Sequence, residues 1–262
     1  APTTTGPAAT TPAPTPDFLR LCTLSHRGVF EWYRALYADA IEMSPNAQFD
    51  YDAATGAIRV RSNGECLDAY EANGAVHLHT WACDAANGNQ QWQVDGDRVA
   101  HRVHNVCLTT TASTTIDVAT CNSQDVRQRI SSRNCGAPVR SFVKLRTPRG
   151  QYLSEWNSGL YANGEVHNLN ELFELDGQQI KAVSNGECLD AFPQSNGRLG
   201  LHTYKCDGTN GNQQWLVADG KIEHATHRGQ CLDVDPTDPH HNVQTWACVG
   251  NDNQRFEIVK QI

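Results

Sequence analysis

SNGECLDAY at residues 62–70 recurs as SNGECLDAF at 184–192, and NGNQQW at 87–92 recurs at 210–215, so the chain holds two copies of one unit about 122 residues apart. A shorter period runs inside each copy. The pattern Asn-Gln-x-aromatic stands as NQQW at 89–92 and 212–215 and as NQRF at 253–256, with weaker forms NAQF at 46–49, RQRI at 127–130 and NELF at 170–173. These positions lie 38 to 43 residues apart and divide the sequence into six repeats of about 42, grouped three and three. Between them, AIRVRS, AVHLHTW, QWLVAD and RFEIVK alternate apolar and polar residues and are broken by Gly, Asn and Asp, as in short half-buried strands joined by turns. FEWYRALY at 30–37 could form a helical turn, but its place in the first repeat favours strand or loop.

Two all-β architectures use repeats of this size. A six-bladed propeller has blades of roughly 40 to 45 residues, but the Gly-His and Trp-Asp signature is missing and a propeller needs no period of 122. A closed barrel of three repeats, used twice, satisfies both periods. The expectation is therefore an all-β chain of two tandem β-trefoil domains, residues 17–138 and 139–262, with the boundary near Cys135 to Arg140. Residues 1–16, APTTTGPAATTPAPTP, hold five prolines and nothing to bury. They read as a disordered Thr/Pro-rich tail suited to O-glycosylation, of the kind that joins a module to an upstream catalytic domain or partner chain.

Composition narrows the function. The 262 residues are 39 % hydrophobic and 19 % charged, enough apolar character for packed cores, and the formal net charge of −8 gives no footprint for nucleic acid or an anionic membrane surface. No run approaches 18 apolar residues, so no membrane insertion is expected, and no basic region followed by an apolar run opens the sequence. The chain reads as a mature, soluble product. Its ten cysteines include no C-x-x-C, which argues against metal sites and for disulfides formed in an oxidising, extracellular compartment. Four pairs close short loops: Cys66 with Cys83, Cys107 with Cys121, Cys188 with Cys206, and Cys231 with Cys248. Cys22 and Cys135 stand at the two ends of the first domain; a closed barrel brings its ends together, so they are expected to pair, the alternative being a bridge from Cys22 to another chain.

The run CLD, an aromatic two residues before a cysteine, and then NQxW resemble the tandem trefoil lectins of the ricin B-chain (R-type) family, a carbohydrate-binding family also found as modules on glycosidases. The resemblance spans residues 17–262. It implies that the Asp after the first Cys accepts hydrogen bonds from vicinal sugar hydroxyls, that the aromatic stacks on the sugar, and that the signature Asn contacts it. The signature Gln orients the Asp, and the Trp two residues later is core. Three repeats carry the set: Asp68, His79, Trp81, Asn89 and Gln90; Asp190, His202, Tyr204, Asn212 and Gln213; and Asp233, Gln244, Trp246, Asn253 and Gln254. The third matches the family pattern most closely, having Gln rather than His two positions before the aromatic. In the repeat at 107–130, Thr109, Ala119 and Arg127 replace Asp, aromatic and Asn. The first repeat of each half, residues 17–62 and 141–184, lacks the CLD run and is read as structural, although Trp32 with Tyr33, or Tyr152 with Trp156, could line a different site.

The chemistry supports this reading without the family. A carboxylate offers about four lone-pair positions to neighbouring hydroxyls, and an aromatic ring covers the apolar face of a pyranose. Galactose, whose axial 4-hydroxyl leaves one face clear, fits best. Glycoside hydrolysis needs two carboxylates in different roles, whereas these acids repeat one role, and no GxSxG, HExxH or phosphate loop is present. No enzyme, cofactor or metal is expected. His101 with His104, and His224 with His227, have a spacing that suits a metal, but a shared structural role fits their repeated place before CLT and CLD. The expected function is a secreted, non-catalytic lectin for galactose- or N-acetylgalactosamine-containing glycans, multivalent through up to three sites. The alternative is a targeting module or subunit of a larger secreted glycosidase or toxin, binding a wall polysaccharide such as xylan or arabinan.

Overall fold

A computed structural model of the chain describes residues 18–40, 44–111 and 114–261. The expected Thr/Pro-rich tail lies outside them. The described residues form short strands joined by turns and single 3-10 turns, and every strand pair is antiparallel. No helix among them is long and apolar enough to cross a membrane.

The fold is two β-trefoil-like units in sequence. The first comprises a six-stranded sheet and a four-stranded one, the latter built from Phe49–Tyr51, Ile58–Val60, Cys66–Ala72 and Ala75–Trp81. The second has an eight-stranded sheet and a four-stranded one, where Trp215–Ala218, Lys221–His224, Gln230–Val234 and Val243–Ala247 pair in order. Alternation puts one face of each hairpin inside. One core gathers Leu21, Val29, Phe49, Leu67, Trp92, Leu108 and Ile130; the other gathers Leu145, Leu153, Phe173, Leu189, Trp215, Leu232 and Phe256. The segment at 30–37 is a hairpin, Gly28–Trp32 with Ala35–Asp39, turning at Tyr33 and Arg34, both in the left-handed region.

Each Asn-Gln signature makes a local device. Gly88–Gln90, Gly211–Gln213 and Asp252–Gln254 are single 3-10 turns, each capped by the Asn just before it, whose side chain accepts from the N–H two residues on. The signature Trp then enters the core. Trp92 and Trp215 are fully buried and donate their indole N–H to the carbonyls of Leu67 (2.8 Å) and Leu189 (3.0 Å), so the strand carrying each Asp is tied to its signature.

The five disulfides join Cys22 to Cys135, Cys66 to Cys83, Cys107 to Cys121, Cys188 to Cys206, and Cys231 to Cys248. Cys22 also exchanges both backbone hydrogen bonds with Ser131 at 3.0 Å, so the ends of the first unit meet as neighbouring extended segments. A small cluster of Val126, Phe142 and Leu172 packs the two units together, and Val126 N–H donates to the His167 carbonyl.

Candidate functional site

The first site is built on the hairpin Cys66–Ala72 with Ala75–Trp81. Its register sets Asp68 opposite His79 and Cys66 opposite Trp81, so the carboxylate, the imidazole and the indole share one face. The Cys66 to Cys83 bridge holds the chain after Trp81 against the strand of Asp68. That chain runs into the capped turn. Gln90 is buried and fully used: its Nε2 donates to Asp68 Oδ2 at 3.1 Å and to the Ala82 carbonyl at 3.0 Å, while its Oε1 accepts from Asp84 N–H at 2.9 Å. Asn87 Nδ2 donates to the same Asp68 Oδ2 at 2.9 Å. Oδ1 faces His79, whose Nε2 is 3.4 Å away. Trp81 stands beyond His79, 48 % exposed and nearly parallel to the imidazole.

The second site repeats these contacts. Asp190 Oδ2 accepts from Gln213 at 3.1 Å and from Asn210 at 2.9 Å, its Oδ1 lies 3.6 Å from His202 Nε2, and Tyr204 is 58 % exposed. In the third, Gln254 donates to Asp233 Oδ2 at 3.1 Å, Gln244 Nε2 donates to Oδ1 at 3.3 Å, and Trp246 is 43 % exposed. All three carboxylates are nearly buried, at 2 to 3 % exposure. In each, the buried Gln amide holds one oxygen, joined by an Asn amide in the first two sites, and a polar side chain, His or Gln, faces the other.

Asn87 and Asn210 have no assigned role in the sequence reading, yet they bond the aspartates directly. Their signal was present, because the repeated string is NGNQQW and not NQQW alone. The signature asparagines take a different position. Asn89 Oδ1 meets His104 Nε2 at 3.3 Å, and Asn253 Oδ1 accepts from Arg149 at 2.9 Å; Asn212 offers its carbonyl to His224 Nε2 at 3.0 Å.

The histidine pairs support these loops from beneath. His101 Nε2 donates to the Asn89 carbonyl at 3.0 Å, while its Nδ1 accepts from the N–H groups of Val103 and His104. His224 does the same with Asn212, Thr226 and His227. That pattern requires the neutral imidazole, and burial accordingly holds both below the usual histidine range. Among the described residues no group of three or more His, Cys, Asp or Glu is placed to hold a metal ion.

The remaining repeats have other chemistry at the equivalent positions. Thr109 turns its hydroxyl to the Cys107 carbonyl, and Arg127 is locked onto Asp125 by three side-chain hydrogen bonds. In the second unit's first repeat, Glu171 takes the place of the signature Gln. Its Oε2 accepts from the fully buried Lys144 at 2.9 Å and from His167 N–H at 3.0 Å. Trp156 lines an open cavity of about 380 Å³ there, and Trp32 and Tyr33 line one of about 400 Å³ in the first unit.

A family model described as the ricin-type β-trefoil lectin domain matches residues 39–130 and 173–262. No curated protein matches the sequence. Solved structures similar in fold include a non-toxic homologue of type II RIPs from Momordica charantia (bitter gourd) in complex with α-methyl-D-galactoside. It is 16 % identical, over 92 % of this chain and 96 % of that one, with a TM-score of 0.41. The agglutinin from Abrus precatorius is 16 % identical over 95 % and 100 %, with a TM-score of 0.41. The earthworm R-type lectin C-half in complex with GalNAc is 20 % identical over 46 % and 99 %, with a TM-score of 0.40.

Proposed function

Because the chain belongs to the ricin-type β-trefoil lectin family, whose domains bind carbohydrate without catalysis, we propose that it is a secreted, multivalent lectin for galactose- or N-acetylgalactosamine-containing glycans. Its sites are centred on Asp68, Asp190 and Asp233, in three of six repeats of about 42 residues, within domains spanning 17–138 and 139–262. The observation that carries this reading is the arrangement shared by the three carboxylates. One oxygen is held by a buried Gln amide, the other faces a polar partner, and an exposed aromatic stands on the same face.

That geometry favours a sugar with neighbouring hydroxyls. The fixed Oδ2 orients the carboxylate before binding, so less ordering is required when a hydroxyl approaches Oδ1. The ring of Trp81, Tyr204 or Trp246 covers the C–H face of the pyranose. Galactose and N-acetylgalactosamine, with the axial 4-hydroxyl on the face away from the ring, suit this pairing. Shallow sites of this kind bind weakly one at a time, and their separation on two units gives avidity on a glycan surface. Five disulfides require an oxidising compartment, in keeping with secretion.

A glycan array on the wild type and on Asp68→Ala, Asp190→Ala and Asp233→Ala, singly and combined, tests the proposal. Galactose-terminated glycans retained by each single variant and lost by the triple variant are expected. A wild type that binds no glycan, or a triple variant that binds like wild type, refutes it.

A further inference from the structure

The face that carries the first sugar site extends past Asp68. The register of its hairpin sets Cys66 opposite Trp81, Asp68 opposite His79 and Tyr70 opposite His77, so Tyr70 and His77 share the face of the carboxylate and the indole. The residues between point the other way: Val76 and Leu78 pack against the core and Thr80 is buried. On the outer face the rings form one row. The Tyr70 ring centre lies 4.3 Å from that of His79 and 5.6 Å from that of His77, and His79 lies 5.4 Å from Trp81. From His77 to Trp81 is four residues of strand, about 13 Å, which is longer than one pyranose.

At the far end of that row two polar groups stand ready for a ligand. Tyr70 and His77 are half-buried, and among the described residues neither the Tyr70 hydroxyl nor a His77 ring nitrogen has a hydrogen-bond partner. A phenol and a neutral imidazole each donate and accept, which matches the hydroxyls of a sugar residue. The other two sites lack this extension. In the second, the corresponding residues are Phe192 and Gly200, opposite one another, and the Phe192 ring packs on His202 at 4.5 Å as Tyr70 packs on His79. Phe192 has no hydroxyl, and its ring and the Gln194 amide both lie across Gly200, where a Cβ would stand 2.6 and 2.7 Å from them. In the third site, the residues two after Asp233 and two before Gln244 are Asp235 and Asn242. Asp235 accepts from the N–H and hydroxyl of Thr237, and Asn242 donates to Asp238 at 2.8 Å, so both are used within their own turn. The three sites share the inner set of residues and differ at the neighbouring pair.

We propose that Tyr70 and His77 form a second subsite, so that the first site takes a disaccharide unit, with galactose on Asp68 and Trp81 and the adjoining sugar residue on Tyr70 and His77. The second and third sites read the galactose alone. The inference rests on the sugar-site reading of Asp68 and adds to it the length of glycan recognised there. Tyr70 serves twice, since its ring packs on the imidazole that faces Asp68 Oδ1 while its hydroxyl meets the second sugar residue. Phe192 keeps only the first of these roles.

The test uses the full chain with Asp190→Ala and Asp233→Ala, which leaves the first site alone. Methyl galactoside and the methyl disaccharides of galactose with glucose, galactose standing at either end, are titrated by calorimetry. At least one disaccharide is expected to bind about fivefold or more tightly than methyl galactoside, the scale of one neutral hydrogen bond. Adding Tyr70→Phe and His77→Gln should bring that ratio to about one. In the chain with Asp68→Ala and Asp233→Ala, which leaves the second site alone, the ratio should be about one from the start. The subsite is overturned, with the sugar site left standing, if no disaccharide is preferred, if the preference survives Tyr70→Phe and His77→Gln, or if the second site shows it equally. Binding of none of the ligands at the first site overturns the sugar site itself, and this inference with it.

Discussion

Gln90 donates its side-chain amide to Asp68 Oδ2 at 3.1 Å, across 22 residues of sequence, and Gln213 with Asp190 and Gln254 with Asp233 repeat the bond at the same length. The Gln is the buried brace of the carboxylate. Both its Nε2 and its Oε1 are used, so it links the strand of the Asp, the segment after the aromatic and the 3-10 turn into one unit.

Gln90→Ala should therefore weaken both stability and binding at the first site. Removing the amide strands the buried acceptor at Ala82 and the donor at Asp84, a cost of about 1–3 kcal/mol in unfolding free energy. With Asp190 and Asp233 replaced by Ala, galactoside affinity at the remaining site should fall about tenfold. Denaturant unfolding and calorimetric titration check the two effects; unchanged values would show that Asn87 suffices to hold Asp68.

The buried histidines make stability sensitive to acid. An unfolded imidazole takes a proton near about pH 6.5, whereas burial makes His101 and His224 do so only at lower pH. The folded state then binds fewer protons, so their contribution is complete above about pH 6.5 and is lost as the pH falls below it. The melting temperature should drop between about pH 7 and about pH 5. In a His101→Gln/His224→Gln variant it should start lower and fall less, and a slope equal to that of wild type would rule out these two groups as the cause.

The bridge from Cys22 to Cys135 closes a loop with a sequence separation of 113, for which chain entropy gives about 4–5 kcal/mol. Replacing both cysteines by Ser should lower amide-exchange protection around Leu67 and Leu108 and spare Leu189 and Leu232, which belong to the other core. Exchange mass spectrometry reads both cores in one sample. Equal loss in the two would mean that they unfold as one body.

Lys144→Met should destabilise the second unit by about 3–5 kcal/mol, because it leaves Glu171 buried without its cation. Adding Glu171→Gln should restore much of the loss, since Gln occupies this position as Gln90, Gln128, Gln213 and Gln254. A double-mutant cycle by urea unfolding measures the coupling. Additive losses would show that the two side chains act independently.

Not every part of the site could be read from the chain. Asp68 and Gln90 were legible because CLD and NQxW recur in register, and a role repeated at a fixed period stands out from its background. The hairpin at 28–39 was less clear, because an aromatic and an arginine, Tyr33 and Arg34, hold left-handed turn positions where Asn or Gly is more usual. Asn87 lies two residues before the NQQW signature, and nothing in the local string pairs it with Asp68, 19 residues away.

The sequence by itself determined the repeat, the all-β character, the family and the carboxylates, since all of these reside in local strings and their spacing. Only the tertiary structure decided that Arg34 faces Glu65 and that Lys144 neutralises Glu171. These relations join side chains of different strands and hairpins. Such contacts arise when the barrel closes and neighbouring hairpins are pressed together, and no period along the chain encodes which residues then meet.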